Sequence, residues 1–543
     1  MNTRPNVLLL FTDEQRWDAM RCSGNSEIKT PNLDRLAETS VRFKNAYTPT
    51  PICQPARMSL ITGHRGSRTG YLLNRRLPGG RSELPTIMTL LHDAGYYCHG
   101  VGKMHFDGRL LGFQKLERQE QMPIHRVDDD YLMYLQQNGV RTRDAQGEHD
   151  LLYYQPQTLV TPPEHSPPNW VKHRSIQALR EHAKYRPEQP LFLWSSFLQP
   201  HPPFAAVEPY ASMYDPDEIG LPFNVERPMS DLPAVAWTDR ARIDGAHRDP
   251  KRIRRLRALY YALVSHVDQC IGEILDELER LGVAENTVVI FTSDHGDMLG
   301  DHGLSQKRVP YDSSAKIPLL VRWPGVTEPA RVCEDIVGLT DVLPTLIDGL
   351  DLQYPSRDGP LPGESLISRP GGGLASGRQR YFIDIGNGPE RQISVRTPTY
   401  KYTLWSTGRR EELYDMRNDP HECHNMVEEL PELTGTLRRE VLQWERQYGP
   451  EDSFVDGEFV VYDLPDPPDD NYTHVVVHSF NRWYMNLPVD ERGTVQSFSE
   501  EFSQAISKEG EYLHPDTVSL KDYKSNGGQA LTNTPWEEAW KDA

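Results

Sequence analysis

Short apolar runs alternate with segments of helical period along the first two thirds of the chain. Residues 7–12 form a continuous apolar run, which is typical of a strand covered on both faces. Three more such runs follow, at 96–101, 191–197 and 287–291. Segments of helical period stand between the runs, at 31–38, 85–94 and 250–281. Thr30 is a candidate N-cap for the first of these helices. The alternation predicts an α/β fold with a large, mostly parallel sheet flanked by helices.

The pattern changes after about residue 355. The glycine run 371–373 indicates a linker, residues 381–405 predict a small antiparallel sheet, and a polar helix is expected at 431–448. We therefore expect three units: a catalytic domain at 1–375, a C-terminal α+β subdomain at 376–450 and an extension at 451–543. Because disordered tails carry few aromatic residues, we expect the extension to wrap its own domain or a neighbouring subunit. Its aromatic residues include Trp483, Tyr484, Trp536 and Trp540.

Charged side chains follow each of the four apolar runs. The residues immediately after these runs include Asp13 and Glu14, Lys103 and His105, His201, and Asp294 and His295. Taken singly, each is most simply a turn residue, a helix cap or a surface charge. Open parallel sheets bind ligands outside the carboxyl ends of their strands, however, so the joint pattern predicts one mixed-charge site at that edge.

A second cluster surrounds Cys53. The sequence from Pro55 onward has the pattern of a helix start, so Cys53 is expected at the positive end of a helix, where an anion is stabilised. Arg57 lies one turn further along and can reach the same end. The simplest alternative is a buried structural cysteine, which is the usual environment of a single Cys.

The segment Cys53–Arg57, with Leu60, Thr62 and Gly63 after it, resembles the sulfatase signature C-x-P-[SA]-R followed by L-x-T-G. The four strand-end motifs stand in the order found in that family, and the stretches 400–402, 412–415 and 419–420 also resemble sulfatases. The resemblance covers roughly residues 5–427. It implies an alkaline phosphatase-like fold and hydrolysis of sulfate monoesters.

The resemblance further implies that a formylglycine-generating enzyme oxidises Cys53 to formylglycine, whose hydrate supplies the nucleophile. It also implies one divalent metal ion. The ligands implied for it are Asp13, Glu14, an oxygen of residue 53, Asp294 and His295. Glu14 stands where many sulfatases have Asp, and His295 where many have Asn. Oxygen ligands favour Ca, whereas an imidazole favours Mn, so both metals remain open.

Other side chains take roles by the same resemblance. Arg57 is expected to hold the formylglycine hydrate, and Lys103 and Lys307 to bind the sulfate group. His105 is expected to accept a proton from the hydrate, and His201 to protonate the leaving oxygen. Asn74 is expected to line the pocket. The alcohol part of the substrate should be selected by loops such as 106–190 and by the C-terminal extension. An aryl group is the first expectation, because Tyr71, Phe106, Phe204 and Tyr311 stand near the motifs.

Three alternatives remain at the level of sequence. A phosphonate monoester or phosphodiester hydrolase of the same superfamily shares the nucleophile and the metal. The presence of His295 and Asn74 favours this alternative. The segment from Gly102 to His105 instead has the sulfatase form. A non-catalytic scaffold relative would have lost a ligand or the cysteine, and none is missing. Cys53 would also stay a thiol in a host without the modifying enzyme.

The charge and composition of the chain limit the classes of partner that it is expected to bind. The chain has 543 residues with 59 Lys and Arg against 78 Asp and Glu, a formal charge of -19, so we expect neither nucleic acid nor membrane binding. No apolar stretch approaches the roughly 20 residues needed to span a bilayer. The six cysteines are scattered and form no C-x-x-C pair. We expect a cytoplasmic enzyme that assembles as a dimer or tetramer.

Overall fold

The computed structural model describes residues 4–76, 84–121, 128–140, 146, 156–237, 249–355, 359–367 and 376–465, together with two short strands at 474–477 and 485–488. The α-helices in these ranges are α1 (Pro31–Glu38), α2 (Cys53–Thr62), α3 (Gly66–Thr69), α4 (Ile87–Asp93), α5 (Asp130–Gln137), α6 (Pro167–Tyr185), α7 (Pro250–Arg280), α8 (Asp312–Ala315), α9 (Val342–Leu350) and α10 (Pro431–Tyr448). Within the part of the chain described, none of them has the length and apolar character needed to cross a membrane.

The strands of the large sheet are β1 (Asn6–Asp13), β2 (Val41–Tyr47), β5 (Tyr97–Gly102), β6 (Lys115–Arg118), β8 (Leu191–Pro200), β10 (Thr287–Ser293), β11 (Lys316–Ile317), β12 (Leu319–Arg322) and β13 (Arg331–Gly338). Their order is β11-β2-β12-β10-β1-β8-β5-β6, and β13 also pairs with β2. Only β11 and β12 run antiparallel to their neighbours in this sheet. The predicted mostly parallel sheet is therefore confirmed.

Alternate residues of β1 pack into two different hydrophobic cores. Val7, Leu9 and Phe11 face a core that includes residues of α2, α4 and α9. Leu8 and Leu10 face a second core built with α1, α6 and α7. Successive side chains of a strand point to opposite faces of its sheet, so helices cover both faces of β1. This two-sided burial is why the strand appears in the sequence as an unbroken apolar run.

The remaining strands are short hairpins and a second sheet. They are β3 (Tyr71–Leu73), β4 (Arg75–Arg76), β7 (Gln157–Thr158), β9 (Ala205–Ala206), β14 (Tyr381–Ile385), β15 (Gln392–Arg396), β16 (Tyr400–Trp405), β17 (Glu411–Asp415), β18 (Phe454–Val455), β19 (Glu458–Phe459), β20 (His474–Val477) and β21 (Met485–Pro488). Strands β14 to β17 form an antiparallel sheet in chain order, and α10 packs against β15 and β16. This confirms the predicted small C-terminal sheet with its helix.

Two local predictions need correction. Thr30 does not cap α1: its Oγ1 accepts a hydrogen bond from the backbone N–H of Arg21 at 2.9 Å. Helix α2 begins at Cys53 itself, two residues before the proline taken as its start. The unit boundaries at residues 375 and 450 stay predictions. The glycine run 371–373 and the aromatic residues named for the extension lie outside the described residues.

A buried ion network joins the C-terminal sheet to the segment that follows the large sheet's strand β10. The Lys401 ammonium, on β16, lies 2.8 Å from the Asp312 carboxylate and 2.6 Å from the Glu422 carboxylate. It also donates to the carbonyl oxygen of Pro310 at 2.8 Å. The Lys401, Asp312 and Glu422 side chains are at most 7% exposed. Because three charges are buried together here, each depends on the others for its stability.

His266, on α7, gives the fold a measurable acid sensitivity. Burial and the charge of Lys172 lower its pKa to about 3, and the ring stacks on Tyr210 at 4.1 Å. Below about pH 6.5 His266 is protonated in the unfolded chain but stays neutral in the folded chain. The free energy of unfolding therefore decreases as the pH is lowered. We expect His266→Phe to reduce the loss of unfolding free energy between pH 7.5 and 5.0 by about 2 kcal/mol, measured by urea titration.

His92→Gln is the matched control, because His92 is exposed on α4. Its pH dependence should follow that of the unchanged chain. An equal loss of unfolding free energy in His266→Phe and the unchanged chain would contradict the assignment of a buried, neutral His266.

Candidate active site

The four apolar strands named from the sequence are adjacent in the sheet. Strands β10, β1, β8 and β5 are parallel neighbours in that order, so their carboxyl ends meet at one edge. The side chains that this edge brings together are Asp13, Glu14, Lys103, His105, His201, Asp294 and His295. Except for His105, each of these residues is at least 98% buried.

Cys53 is the first residue of α2 and lies at the centre of this group. Its Sγ is 3.3 Å from His295 Nε2 and 3.8 Å from Asp13 Oδ1, and the residue is 1% exposed. Burial alone raises the pKa of the thiol, but the charges of Lys307, Lys103 and His295 outweigh it and hold that pKa well below its usual value. The site therefore stabilises negative charge at position 53, as a nucleophile requires.

Arg57 connects two carboxylates from different strands. Its Nε donates to Asp294 Oδ2 at 2.8 Å, and its Nη2 donates to Asp13 Oδ2 at 3.0 Å. Its Nη1 donates to the Lys103 carbonyl and to Ser196 Oγ. The guanidinium is fully buried and bridges the two carboxylates in a fixed geometry. Its role in the structure is to hold Asp13 and Asp294 beside residue 53.

Four of the five implied metal ligands form one group. The ligand atoms of Asp13, Cys53, Asp294 and His295 all lie within 4.8 Å of one another, and all four residues are buried. Burial and the nearby Asp13 charge raise the pKa of Asp294, which a cation between the two carboxylates would reverse. His295 Nδ1 donates to the Gly296 carbonyl at 2.9 Å, so in the neutral ring Nε2 is left as the ligand atom. The donor set fits a divalent cation.

Glu14 belongs to a different group. Its carboxylate lies 2.5 Å from Lys307 Nζ and 3.2 Å from His201 Nε2. The ligand atoms of Glu14, Asp13 and His201 also lie within 4.8 Å of one another. Glu14 thus shares Asp13 with the first group but is paired with a lysine. In this structure the Glu14 carboxylate pairs with Lys307, and its role as a metal ligand stays a prediction.

The proton arrangement at His201 follows from its partners. His201 Nδ1 lies 2.6 Å from the Pro202 carbonyl, which can only accept, so Nδ1 carries the hydrogen. Nε2 then accepts from the Lys307 ammonium at 2.9 Å. Burial and the Lys307 charge lower the His201 pKa to about 3, so the ring is neutral near pH 7. In this arrangement His201 Nε2 carries no proton, and the Lys307 ammonium is the donor that it faces.

Lys103 and His105 follow β5. Lys103 Nζ lies 2.5 Å from Asp13 Oδ2 and is fully buried. His105 has a left-handed backbone (φ 58°), which is unfavourable for a residue with a Cβ, and its side chain helps to lower the pKa of the Cys53 thiol. The backbone N–H groups of Met104 and His105 donate to the Glu120 carboxylate at 3.2 and 3.0 Å. Glu120 therefore stabilises the turn that presents His105.

Asn74 contacts the start of α2, and its predicted place in the pocket wall stays a prediction. Its Oδ1 accepts from the backbone N–H of Gln54 at 3.0 Å, and the Gln54 side chain donates to Asp107 at 2.7 Å. Glu120, Gln54 and Asp107 were not identified from the sequence, because only the folded loops bring them to the motif residues.

The aromatic residues that suggested an aryl leaving group are core residues. Tyr71 and Phe106 belong to one hydrophobic core, and Phe204 and Tyr311 to two others. None is more than 2% exposed. They give no support for an aryl group.

Comparisons with known proteins agree with this geometry. The sulfatase family model matches residues 5–352, and the model of the C-terminal part of N-sulphoglucosamine sulphohydrolase matches residues 300–447. The chain is 28% identical to an arylsulfatase of Clostridium perfringens over 492 residues, which are 85% of this chain and 98% of the relative. It is 30% identical to the uncharacterized sulfatase YidJ of Escherichia coli over 450 residues, 79% of this chain and 84% of the relative.

Comparison with solved structures identifies the fold. The phosphonate monoester hydrolase of Agrobacterium radiobacter superposes with a TM-score of 0.72 at 26% identity, over 82% of this chain and 96% of that one. This similarity confirms the predicted alkaline phosphatase-like architecture. The family model covers more than half of the chain and includes Cys53 and the residues grouped around it. The chain therefore belongs to the sulfatase family.

Proposed function

We propose that this protein hydrolyses sulfate monoesters, breaking a sulfur–oxygen bond with water to release an alcohol and sulfate, and that its nucleophile is a formylglycine made from Cys53. The observation that supports the proposal most strongly is the environment of residue 53. A helix start, two lysines and a histidine converge on one buried side chain and stabilise an anion there. A hydrated aldehyde at this position would supply a hydroxyl for attack on sulfur.

The buried lysine side chains near residue 53 carry the charge that an anionic substrate requires. A sulfate monoester is anionic, and its cleavage places further negative charge on the departing oxygen. Lys103 and Lys307 are buried near Cys53 and carry the positive charge that this chemistry requires. We propose that both bind the sulfuryl oxygens. We propose that His105, whose side chain helps to lower the pKa of the Cys53 thiol, accepts the proton released at residue 53.

The leaving oxygen needs a proton. Near pH 7 His201 is neutral and its Nε2 accepts from Lys307. We propose that Lys307 itself donates the proton to the leaving oxygen, with His201 accepting from Lys307 and holding it in place, which refines the role expected for His201 from the family resemblance. Lys307 Nζ contacts the Glu14 carboxylate at 2.5 Å and His201 Nε2 at 2.9 Å at the same time, so both neighbours orient the ammonium.

Asp13, Asp294, His295 and an oxygen of residue 53 would hold the divalent cation. When bound, it would supply Lewis-acid stabilisation of negative charge at the reacting centre. We expect EDTA treatment to lower both the turnover and the melting temperature, because it removes a divalent cation that binds the folded chain at Asp13, Asp294 and His295. Activity measured after adding back Ca or Mn singly distinguishes the two ions. Unchanged turnover and melting temperature after exhaustive chelation would contradict the metal site.

A phosphonate monoester or phosphodiester hydrolase is the second candidate. The superposition on the phosphonate monoester hydrolase of Agrobacterium radiobacter favours it. So does the presence of His295 in the metal group. Lys103, paired with Asp13, is compatible with both candidates, because sulfate monoesters and phosphonate monoesters each carry one negative charge on the transferred group.

The test combines the mass of the peptide that contains Cys53 with turnover of paired aryl sulfate and phosphonate esters. A loss of about 18 Da, expected when a thiol becomes an aldehyde, together with preference for the sulfate ester, would support the proposal. The same loss of mass with preference for the phosphonate ester would instead support the second candidate, a phosphonate monoester or phosphodiester hydrolase. An unmodified thiol in active enzyme from its natural host would rule out formylglycine.

The leaving group, the localisation, the oligomeric state and the modifying enzyme stay predictions. An aryl leaving group is supported by similarity to the arylsulfatase of Clostridium perfringens and by no residue in the structure. Cytoplasmic localisation and assembly as a dimer or tetramer rest on the sequence alone. A formylglycine-generating enzyme is the partner that the proposed nucleophile requires.

A further inference from the structure

Residues 119–121 follow β6 directly and contact the motif that ends β5. The Gln119 backbone N–H donates to the Gly102 carbonyl at 3.3 Å, and Gln121 Oε1 accepts from Lys103 Nζ at 3.2 Å. Strands β5 and β6 are parallel neighbours, so their carboxyl ends lie at the active-site edge of the sheet. The segment after β6 is therefore packed against residues that carry the proposed chemistry.

Glu120 supplies the hydrogen-bond acceptor for the backbone of this motif. Its Oε1 accepts from the N–H groups of Met104 at 3.2 Å and His105 at 3.0 Å, and its Oε2 lies 3.2 Å from the His105 nitrogen. A hydrogen bond from an N–H group to a carboxylate is stronger than one between neutral groups. Met104 is buried, so the loss of Glu120 would leave its N–H group without an acceptor and away from water.

The position of the His105 ring depends on its backbone. The ring Nδ1 is buried and has no hydrogen-bond partner among the described residues, whereas a carboxylate or carbonyl bonded to one ring nitrogen orients many catalytic histidines. The His105 carbonyl accepts from Gln54 Nε2 at 3.3 Å, so both backbone groups of this left-handed residue are bonded. The side chain helps to lower the pKa of the Cys53 thiol, so the turn holds it close to residue 53.

Glu120 is itself held in place by α5. Asp129 Oδ2 accepts from the Glu120 backbone N–H at 2.6 Å, and Asp129 Oδ1 accepts from the Leu132 backbone N–H at 2.8 Å. The Asp129 side chain is fully buried and caps the first turn of α5. Gln146 Nε2 donates to the Glu120 carbonyl at 3.1 Å. The backbone of Glu120 is therefore held by contacts that do not involve His105.

We infer that Glu120 is a positioning residue for His105: its carboxylate holds the backbone of Met104 and His105 where the His105 ring can take the proton released at residue 53. The inference rests on the proposed function through the role given there to His105. Glu120 exchanges no proton itself and acts through two backbone N–H groups. The position therefore requires an acceptor rather than a charge, which separates Glu120 from a general acid or base.

The experiment measures kcat and KM of the full-length enzyme with whichever ester it cleaves faster, an aryl sulfate or an aryl phosphonate. We expect Glu120→Ala to lower kcat about 30-fold, because a displaced ring transfers the proton poorly. Lys103 and Lys307 remain, so KM and the dissociation constant of inorganic sulfate should change less than about 3-fold. Glu120→Gln retains an oxygen that can accept from both N–H groups, and its kcat should fall only about 5-fold.

A double-mutant cycle with His105→Ala shows whether Glu120 acts through the ring. His105→Ala alone should lower kcat about 100-fold, and adding Glu120→Ala should lower it less than about 2-fold further. A residue that only stabilises the fold would cost the same factor in both backgrounds. Asp130→Ala is the matched control, because Asp130 is exposed and its carboxylate accepts from the backbone N–H of Arg118 at 2.6 Å. Its kcat should equal that of the unchanged chain.

The inference would be overturned by an equal loss from Glu120→Ala in both backgrounds, by a loss in Glu120→Gln as large as in Glu120→Ala, or by unchanged kcat in His105→Ala. If Glu120→Ala does not fold, Glu120→Gln takes its place in the cycle, and its smaller loss should again be absent in the His105→Ala background. Turnover of phosphonate esters without any sulfate ester would overturn the sulfatase proposal alone, because the cycle is then measured with the phosphonate ester.

Discussion

Cys53→Ala is expected to reduce kcat for sulfate ester hydrolysis by on the order of 10⁴-fold or more. The substitution removes the atom from which the proposed nucleophile is made, while Lys103, Lys307 and Arg57 remain in place. The variant should therefore still bind inorganic sulfate, which can be measured by calorimetry. A large loss of kcat with retained sulfate binding would separate the nucleophile from the anion-binding groups.

Cys423→Ala is the matched control, because Cys423 is an exposed cysteine of the C-terminal unit. Its kcat should equal that of the unchanged chain. If Cys53→Ala retained more than a hundredth of the original kcat, residue 53 could not be the nucleophile, and the surrounding cations would have to act on water directly.

Lys401→Met is expected to lower the free energy of unfolding by about 3 kcal/mol, because it removes the cation that the buried Asp312 and Glu422 carboxylates share. Both carboxylates lie within 2.8 Å of Lys401 Nζ, and Asp312 then retains the more distant Lys316 ammonium, at 3.8 Å. Denaturant titration followed by intrinsic fluorescence gives the change directly. Methionine retains most of the side chain's volume, so the effect reports the charge rather than a cavity.

Lys44→Met serves as the control for an exposed ion pair. Lys44 lies 2.9 Å from Glu334, but the two side chains are 52% and 73% exposed. Solvent screens such a pair, so the expected loss is about 0–1 kcal/mol. Equal stability changes in Lys44→Met and Lys401→Met would show that the Lys401 network contributes no more than a surface pair.

The positions of the catalytic groups could be predicted because they depend on a rule of sheet geometry. Strands β1, β5, β8 and β10 were identifiable as apolar runs, and parallel pairing places the residue after each run at the same edge. Asp13 and Asp294 are therefore close together although 281 positions separate them. The cysteine was distinguishable from a structural one only through its resemblance to the sulfatase signature.

The supporting residues could not be predicted, because their roles arise from loop conformation. Glu120 acts through two backbone N–H groups of a turn whose left-handed residue, His105, has no distinctive sequence pattern. The ligand role of Glu14 rests on the family resemblance and stays a prediction, and nothing in the sequence indicated the contact between its carboxylate and Lys307. Thr30 had the pattern of a cap, yet a neighbouring turn offered its hydroxyl a different donor.

A cavity of about 410 Å³ takes part of its wall from stretches of chain that lie far from the nucleophile in the sequence. Gln392 and Tyr462 lie more than 300 positions beyond Cys53 and belong to elements that carry none of the proposed catalytic groups. Exchange of these stretches between homologues would therefore reshape the cavity and leave the residues around Cys53 unaltered.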